Sequence, residues 1–265
     1  MFDNSRMLQD VRAKVLRGDI SFDLPTGYAF SEGNVSTEPE KRSRIGRIFL
    51  LTLKIFIGAH LVFISVIGLF CILYNFINPP VTVLMLYRKV GYGYSIAEPR
   101  YVPLSGISRT KRQMLLGLED WKFYEHHGID PQAIKRAYET NKRLGYPMYG
   151  GSTLSMQLAR TLFLVPVKSY ARKYLEVIIT LELELFMSKE RILELYFNYA
   201  EWGKGIFGIG AASSYYYKKP VSKLTTDETC RLIALLSSPI KYTVNTINKS
   251  NILTQRYNFL ISRYN

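Results

Sequence analysis

From Ile55 to Ile77 the chain reads IFIGAHLVFISVIGLFCILYNFI, without a formal charge in the run. About 20 such residues cross a bilayer as an α-helix, so the segment predicts a transmembrane span. A core helix of a soluble protein is the competing reading, but ordinary globular helices run about 10–14 residues and this stretch is far longer. Lys41, Arg42, Arg44, Arg47 and Lys54 precede it, whereas Arg88 and Lys89 are the nearest basic residues after it. That bias puts the N-terminus in the cytoplasm and the remainder outside. The run begins too late, and is too long, for a cleaved signal peptide. The expected division is a cytoplasmic tail at 1–47, an anchor at 48–77 and an extracytoplasmic domain at 78–265. Residues 1–40 read as a weakly structured tail. His60, inside the run, is expected to be neutral and packed.

The 265 residues carry a formal net charge of +14, from 35 Lys and Arg against 21 Asp and Glu. Such an excess suits a polyanion, either nucleic acid or the anionic phospholipid of a membrane surface. The anchor favours membrane phospholipid, and no nucleic-acid recognition motif is present. Two cysteines, Cys71 and Cys230, and three histidines argue against a disulfide scaffold and against a zinc site of His and Cys ligands.

Beyond the anchor, Val81–Tyr87 is apolar and β-branched enough for a short strand or extended link. From Ser108 the pattern turns helical: Met114, Leu115, Leu118, Trp121 and Phe123 keep helical spacing up to the break at His126-His127-Gly128. Asp130-Pro131 reads as an N-cap and first helical position, and a Gly-rich turn at 145–151 precedes a helix begun by Ser152 or Thr153. Helices are expected over 170–187, from Ser188 to about 199, and at 208–217, 226–236 and 251–262. The fold class is mostly α, with no strong strand pattern apart from the piece near Val81.

Three constellations carry chemistry. Glu119-Asp120 offers two adjacent carboxylates, a pair whose ionisation can be driven apart so that one serves as a general base. Gly150-Gly151-Ser152-Thr153 brings backbone N–H groups and hydroxyls to a helix start, a receptor for an anion. It lacks the Lys-Ser or Lys-Thr ending of a nucleotide P-loop, so ATP and GTP are not indicated. Gln157 and Arg160 follow on roughly the same face as Thr153. Arg172, Lys173 and Glu176 are spaced for an ion-pair cluster on one helix face, and such cations can neutralise the charge of a departing diphosphate.

Together these segments resemble glycosyltransferase family 51, the peptidoglycan polymerase domain of bifunctional penicillin-binding proteins and monofunctional transglycosylases. The resemblance runs from about Asn78 to about Pro239. It rests on EDWKFYEHHGID from Glu119, GGSTLSMQLAR from Gly150, RKYLE from Arg172 and KERILELYFN from Lys189. It implies a lysozyme-like helical domain with a small membrane-associated lobe whose apolar surface falls between Tyr124 and Tyr149. It implies that Glu119 is the base taking the proton of the acceptor 4-hydroxyl and that Glu176 is the second essential glutamate. Asp120 matches the supporting acid, and Phe123 and His127 match pocket residues. Ser152, Thr153, Gln157 and Arg160 match the wall of the donor site, and Arg172 and Lys173 match the cations for phosphate. Glu194, Tyr196 and Asn198 match a motif that holds the fold and the cleft wall. The substrates implied are lipid II and the growing lipid-linked glycan chain, with other cell-wall synthesis or division proteins as partners. No organic cofactor is implied; a divalent cation, magnesium or manganese, is left open.

The chain departs from the family pattern at Arg160, where lysine is usual, at Thr161, where asparagine is common, and at Met156, where glutamine is common. None of these removes an implied acid, base or essential cation. No transpeptidase serine motif appears, so the monofunctional form is expected, anchored in a bacterial inner membrane with its catalytic domain in the periplasm. A lytic, lysozyme-like enzyme is the nearest alternative, but Arg160, Arg172 and Lys173 imply an anionic leaving group that polysaccharide cleavage lacks. A membrane scaffold is the alternative from another class, and it has no need of Glu119 together with Glu176.

Overall fold

The computed structural model describes residues 9, 12–19, 44–145 and 150–265. The tail expected at 1–40 therefore lies outside the described residues except at 9 and 12–19, as does the 146–149 part of the Gly-rich turn. The chain forms two compact units, Met1–Thr52 and Leu53–Asn265. Among the described residues, the first unit contains residues 9 and 12–19 and the opening turns of α1 (Arg44–Leu73). That helix is long and apolar enough to cross a membrane.

The second unit is mostly helical: α2 (Val83–Tyr92), α3 (Arg109–Glu119), α4 (Pro131–Leu144), α5 (Leu154–Phe163), α6 (Tyr170–Phe186), α7 (Lys189–Tyr199), α8 (Ile209–Tyr217), α9 (Thr226–Leu235) and α10 (Asn251–Tyr264). Short polar side chains start these helices. Thr82, Ser108, Asp130, Thr153, Ser169, Ser188, Thr225 and Ser250 each accept a backbone N–H of the first turn, groups that otherwise lack a partner. At α9 the box is reciprocal, since Glu228 also accepts from the Thr225 N–H.

Three expectations are corrected. Val81–Tyr87 is not a strand: Thr82 caps α2, and Leu84 and Met85 bury one face of it in the core. Val81 and Val83 are the β-branched members, while Leu84, Met85 and Leu86 are good helix formers. The helix expected to reach His126 ends at Glu119, because Asp120 adopts an extended backbone and engages side-chain and main-chain donors elsewhere. A two-stranded antiparallel hairpin, β1 (Glu201–Gly203) with β2 (Ile206–Phe207), escaped the pattern reading because its strands are too short to show alternation.

Packing of α5 against α6 and α7 makes the centre of the core, with Leu158, Ile179, Leu183, Leu193 and Phe197 inaccessible to solvent. Trp202 of the hairpin is also fully buried and stacks on Phe197, ring centroids 6.3 Å apart. The outer end of α1 belongs to this unit. Asn75 donates to the Phe186 carbonyl (2.8 Å), Tyr199 to that of Pro79 (2.7 Å), and Arg191 to those of Tyr74 (2.7 Å) and Ile77 (2.9 Å). The segment leaving α1 is thereby tied to α6 and α7, the helices that carry part of the candidate site.

Candidate active site

Glu119 is the last residue of α3, and its carboxylate is held from two other helices. One oxygen pairs with the Arg256 guanidinium and the other accepts from Gln157 Nε2 at 3.0 Å. Gln157, on α5, accepts in turn from the Tyr196 hydroxyl of α7 at 2.9 Å. Tyr196 is buried, and burial, followed by the nearby Glu119 charge, pushes its phenol well above the ordinary value. It stays a neutral donor and fixes which end of the Gln157 amide faces Glu119.

Asp120 is buried and accepts from the Leu154 N–H at 2.8 Å and from His126 Nε2 at 3.0 Å. The Gly128 N–H donates to His126 Nδ1 at 3.0 Å, so Nδ1 is the acceptor and Nε2 carries the proton given to Asp120. Burial raises the Asp120 pKa from its ordinary value, and the Leu154 and His126 bonds oppose that rise without cancelling it. Because Leu154 opens α5, Asp120 clamps the start of α5 to the end of α3 and so sets Gln157 against Glu119. The histidine in this clamp is His126; His127 is exposed. Phe123 is buried behind it, with Lys189 Nζ 4.5 Å from its ring centroid.

The glycine-rich approach to α5 is close-packed. A Cβ on Gly151 would stand 2.7 Å from Ile134 Cα, so α4 can lie this near only to a glycine. Thr153, the cap of α5, donates to the Gly128 carbonyl at 2.5 Å, and Gly128 itself has φ +89° with no room for a side chain beside Thr180.

Glu176, fully buried on α6, collects cations. Arg172 pairs with one oxygen, Lys173 Nζ lies 2.6 Å from the other, and Arg160 Nη1 of α5 stands 3.9 Å away. Lys173 also donates to the Ser152 hydroxyl at 3.1 Å, joining this cluster to the glycine-rich segment. The carboxylate organises three positive side chains, two of which, Arg160 and Arg172, line a cleft of about 370 Å³ with Gln157 and Tyr196. A second recess of about 390 Å³ is lined by Glu119, Asp120, Trp121, Arg136 and Gly150. The Gln157–Glu119 hydrogen bond thus joins a cationic cleft to a recess on the other side of the carboxylate.

Glu194 and Asn198 face away from this site. Glu194 accepts from the Tyr101 hydroxyl (2.5 Å), the Leu104 N–H (2.6 Å) and Arg191 (2.6 Å); burial works against its charge, but these donors win and its pKa is lowered. Asn198 exchanges two 2.8 Å bonds with the Val102 main chain. They pin segment 101–104 to α7, while Tyr196 on the same helix forms cleft wall.

Among the described residues no group of three or more His, Cys, Asp or Glu side chains forms a metal cage. Both Glu176 oxygens are engaged by cations, so a divalent ion would have to displace Arg172 or Lys173.

Sequence reasoning missed two residues of the site. Arg256 stands 137 positions from Glu119, beyond the Asn78–Pro239 region that carries the resemblance. His126 and His127 are adjacent, and only the course of the 120–128 turn selects between them.

Comparison with known proteins extends the match. The Transglycosylase family profile covers residues 90–265, so it continues past Pro239 and includes α10 with Arg256. A biosynthetic peptidoglycan transglycosylase of Caulobacter vibrioides is 45% identical over 174 residues, 65% of this chain and 74% of the relative. Proteins of the same description from Dechloromonas aromatica and Pasteurella multocida are 38% identical over 205 residues and 37% over 209. These alignments cover 76% and 77% of this chain, and 89% and 80% of the relatives. With the profile spanning most of its length, the chain belongs to the transglycosylase family, glycosyltransferase family 51, and is an enzyme.

Proposed function

We propose that this glycosyltransferase polymerises lipid II into β-1,4-linked glycan strands of peptidoglycan. The growing chain lies as donor in the cationic cleft, its N-acetylmuramyl anomeric carbon bonded to undecaprenyl diphosphate. The acceptor, lipid II, presents its N-acetylglucosamine 4-hydroxyl from the recess beside Trp121 and Arg136. Glu119 takes the hydroxyl proton, the oxygen attacks the anomeric carbon from the face opposite the diphosphate, and the bond to the diphosphate breaks with its electron pair. The configuration inverts from α to β. A carboxylate has about four lone-pair sites, and Arg256 and Gln157 use two, which leaves room for the acceptor hydroxyl.

The observation that carries this reading is the convergence of Arg160, Arg172 and Lys173 on buried Glu176. A preorganised cationic cluster stabilises charge that develops on a leaving group, and a diphosphate is such a leaving group. A lytic enzyme acting on a neutral glycosidic bond has no use for it. The anchor agrees with the chemistry, since both substrates are held in a membrane and α1 confines the domain to their surface. In this reading α1 is a single inner-membrane span with a cytoplasmic N-terminus, the domain from residue 78 is periplasmic, and the small lobe faces the membrane between Tyr124 and Tyr149.

The test is purified full-length protein with labelled lipid II in detergent, beside the Glu119→Gln variant. Muramidase-sensitive polymer from wild type and none from the variant is expected. Near-normal turnover by Glu119→Gln, with its fold shown intact, would remove Glu119 as the base.

A further inference from the structure

A further cleft of about 690 Å³ is lined by residues of α3 and α10 and meets the recess at Glu119 through Trp121. Arg109, Arg112 and Arg263 line it with Trp121, Tyr124 and Tyr264, and no carboxylate does. Elsewhere in the catalytic unit arginines are mostly paired: Arg88 with Glu201, Arg136 with Asp130, Arg172 with Glu176, Arg191 with Glu194, Arg231 with Asp227 and Arg256 with Glu119. Among the described residues, the three arginines of this cleft have neither an ion-pair partner nor a side-chain hydrogen bond. Arg112 is the telling one, because its Nε is buried and still lacks an acceptor.

Local helix energetics do not account for the cluster. Arg109, Lys111 and Arg112 occupy the first turn of α3, which contains no acidic residue. Cations there oppose the helix dipole, so this turn is less stable than one bearing Asp or Glu. Arg263 arrives from the last turn of α10, held in place because Tyr264 donates to the Gln113 carbonyl at 3.1 Å. Two helices thus bring unpaired guanidinium groups to one concavity, an arrangement suited to the planar, multidentate recognition of a phosphate.

Exposed aromatic and apolar side chains border the cleft. Trp121 and Tyr124 are 64% and 54% exposed, and Ile134, Tyr138 and Leu144 of the neighbouring α4 expose further apolar surface. Half-wetted aromatics of this kind sit at the headgroup level of bilayers.

We infer that Arg109, Arg112 and Arg263 form a phosphate site for the headgroup of an anionic phospholipid, with Trp121 and Tyr124 seated in the interface beside it. The site is independent of turnover: it holds the domain in one orientation on an anionic leaflet, with Trp121 shared between this cleft and the recess at Glu119.

The experiment uses the full chain in detergent and short-chain phosphatidylglycerol, with quenching of Trp121 by a brominated analogue as the readout; the other tryptophan, Trp202, is buried. Saturable binding is expected, at least tenfold tighter than that of the matching phosphatidylcholine. The R109Q/R112Q/R263Q variant should lose about fivefold per arginine removed. A charge-matched control outside the cleft, R100Q/K218Q/K241Q, should bind like wild type, and R112K should fall between. Thermal melts establish that each variant is folded; should the triple variant fail, R263Q alone supplies the test. Inorganic phosphate and lipid II are competing arms: failure of millimolar phosphate to displace the lipid supports a headgroup site. Displacement by phosphate alone assigns a free-anion site and overturns the inference. Preference for lipid II over phosphatidylglycerol assigns the cleft to substrate and also overturns it, as do equal losses in the control or unchanged affinity in the cleft variant. Because no arm reads polymerisation, loss of this inference and loss of the proposed reaction are separately visible.

Discussion

Arg256 of α10 closes an ion pair on Glu119, the last residue of α3, and both side chains are largely buried, 18% and 11% exposed. Among the described residues, the only other side chain bonded to that carboxylate is Gln157. Arg256 also donates to the Ala234 carbonyl at 3.2 Å, which anchors the guanidinium to α9 and fixes the direction from which it reaches Glu119. The proposed base is thus held by an element at the far end of the domain sequence.

Arg256→Gln is expected to lower kcat at least tenfold with little change in the KM for lipid II, because it mispositions the proposed base and leaves the proposed substrate-binding cations intact. Removing one partner of a buried pair costs up to about 3–5 kcal/mol, and this pair keeps some solvent, so a loss below that range is expected. Arg256→Lys should recover stability more than rate, since an ammonium keeps the charge without reaching both Glu119 and Ala234. Steady-state kinetics with urea unfolding of the three proteins would decide; a variant with full rate removes Arg256 from the positioning role.

Tyr196, Gln157 and Glu119 form a relay in which the middle residue matters most. Tyr196→Phe removes one hydrogen bond and keeps the buried ring, a loss of about 1 kcal/mol in stability and a few-fold in rate. Gln157→Leu strands both the Tyr196 hydroxyl and one Glu119 oxygen, and should cost about 2–3 kcal/mol with a larger fall in kcat. Equal effects of the two substitutions would show that the relay does not act through Gln157.

Much of this architecture is visible in local sequence because the devices that build it are local. Asp130-Pro131, Thr153 and Ser188 announce helix starts within three residues of the N–H groups they satisfy, and Arg172, Lys173 and Glu176 share a helix face whatever surrounds them. What stays hidden depends on partners distant in sequence. The stop of α3 at Glu119 is imposed by Asp120 bonding to Leu154, 34 residues on, and the choice of His126 over His127 is made by the same turn. The Val81–Tyr87 run is apolar in a way that suits strand or helix, and only burial against the core and the Thr82 cap decide for helix.

Arg172 and Lys173 divide the Glu176 carboxylate between them, one oxygen each. Arg172→Ala leaves Lys173 in place, so Glu176 is not stranded and the domain should remain folded. The positive charge of the cleft proposed to hold the diphosphate falls, and use of a lipid-linked tetrasaccharide donor should weaken by about tenfold for each 1.4 kcal/mol of lost transition-state stabilisation. Arg172→Lys should rescue only in part, because a point charge cannot replace a fork that also donates to the Val167 carbonyl at 2.6 Å. Donor titration at fixed acceptor separates the sites, and an unchanged donor dependence would count against Arg172 as a diphosphate ligand.

Glu182 of α6 is a buried carboxylate, 6% exposed, and among the described residues neither oxygen has a hydrogen-bond partner. It lies where Gly68 and Phe186 meet, and a Cβ on Gly68 would approach its oxygen to 3.2 Å. Desolvation lifts its pKa from 4.5 to about 7. The raised value means that between those limits the folded chain binds a proton the unfolded chain has released, so stability falls as pH rises across the window and is level above it. The shift corresponds to about 3 kcal/mol at most. Glu182→Leu removes the titrating group and fills the same space with apolar surface. Its melting temperature should exceed that of wild type at pH 8, and the difference between the two proteins should shrink towards pH 5. Subtracting the two pH curves isolates Glu182 from Asp120 and Glu201, whose pKa values burial also raises. A difference that stays constant from pH 5 to pH 8 would mean that Glu182 keeps its charge state throughout, against the desolvated site in which α6 holds it.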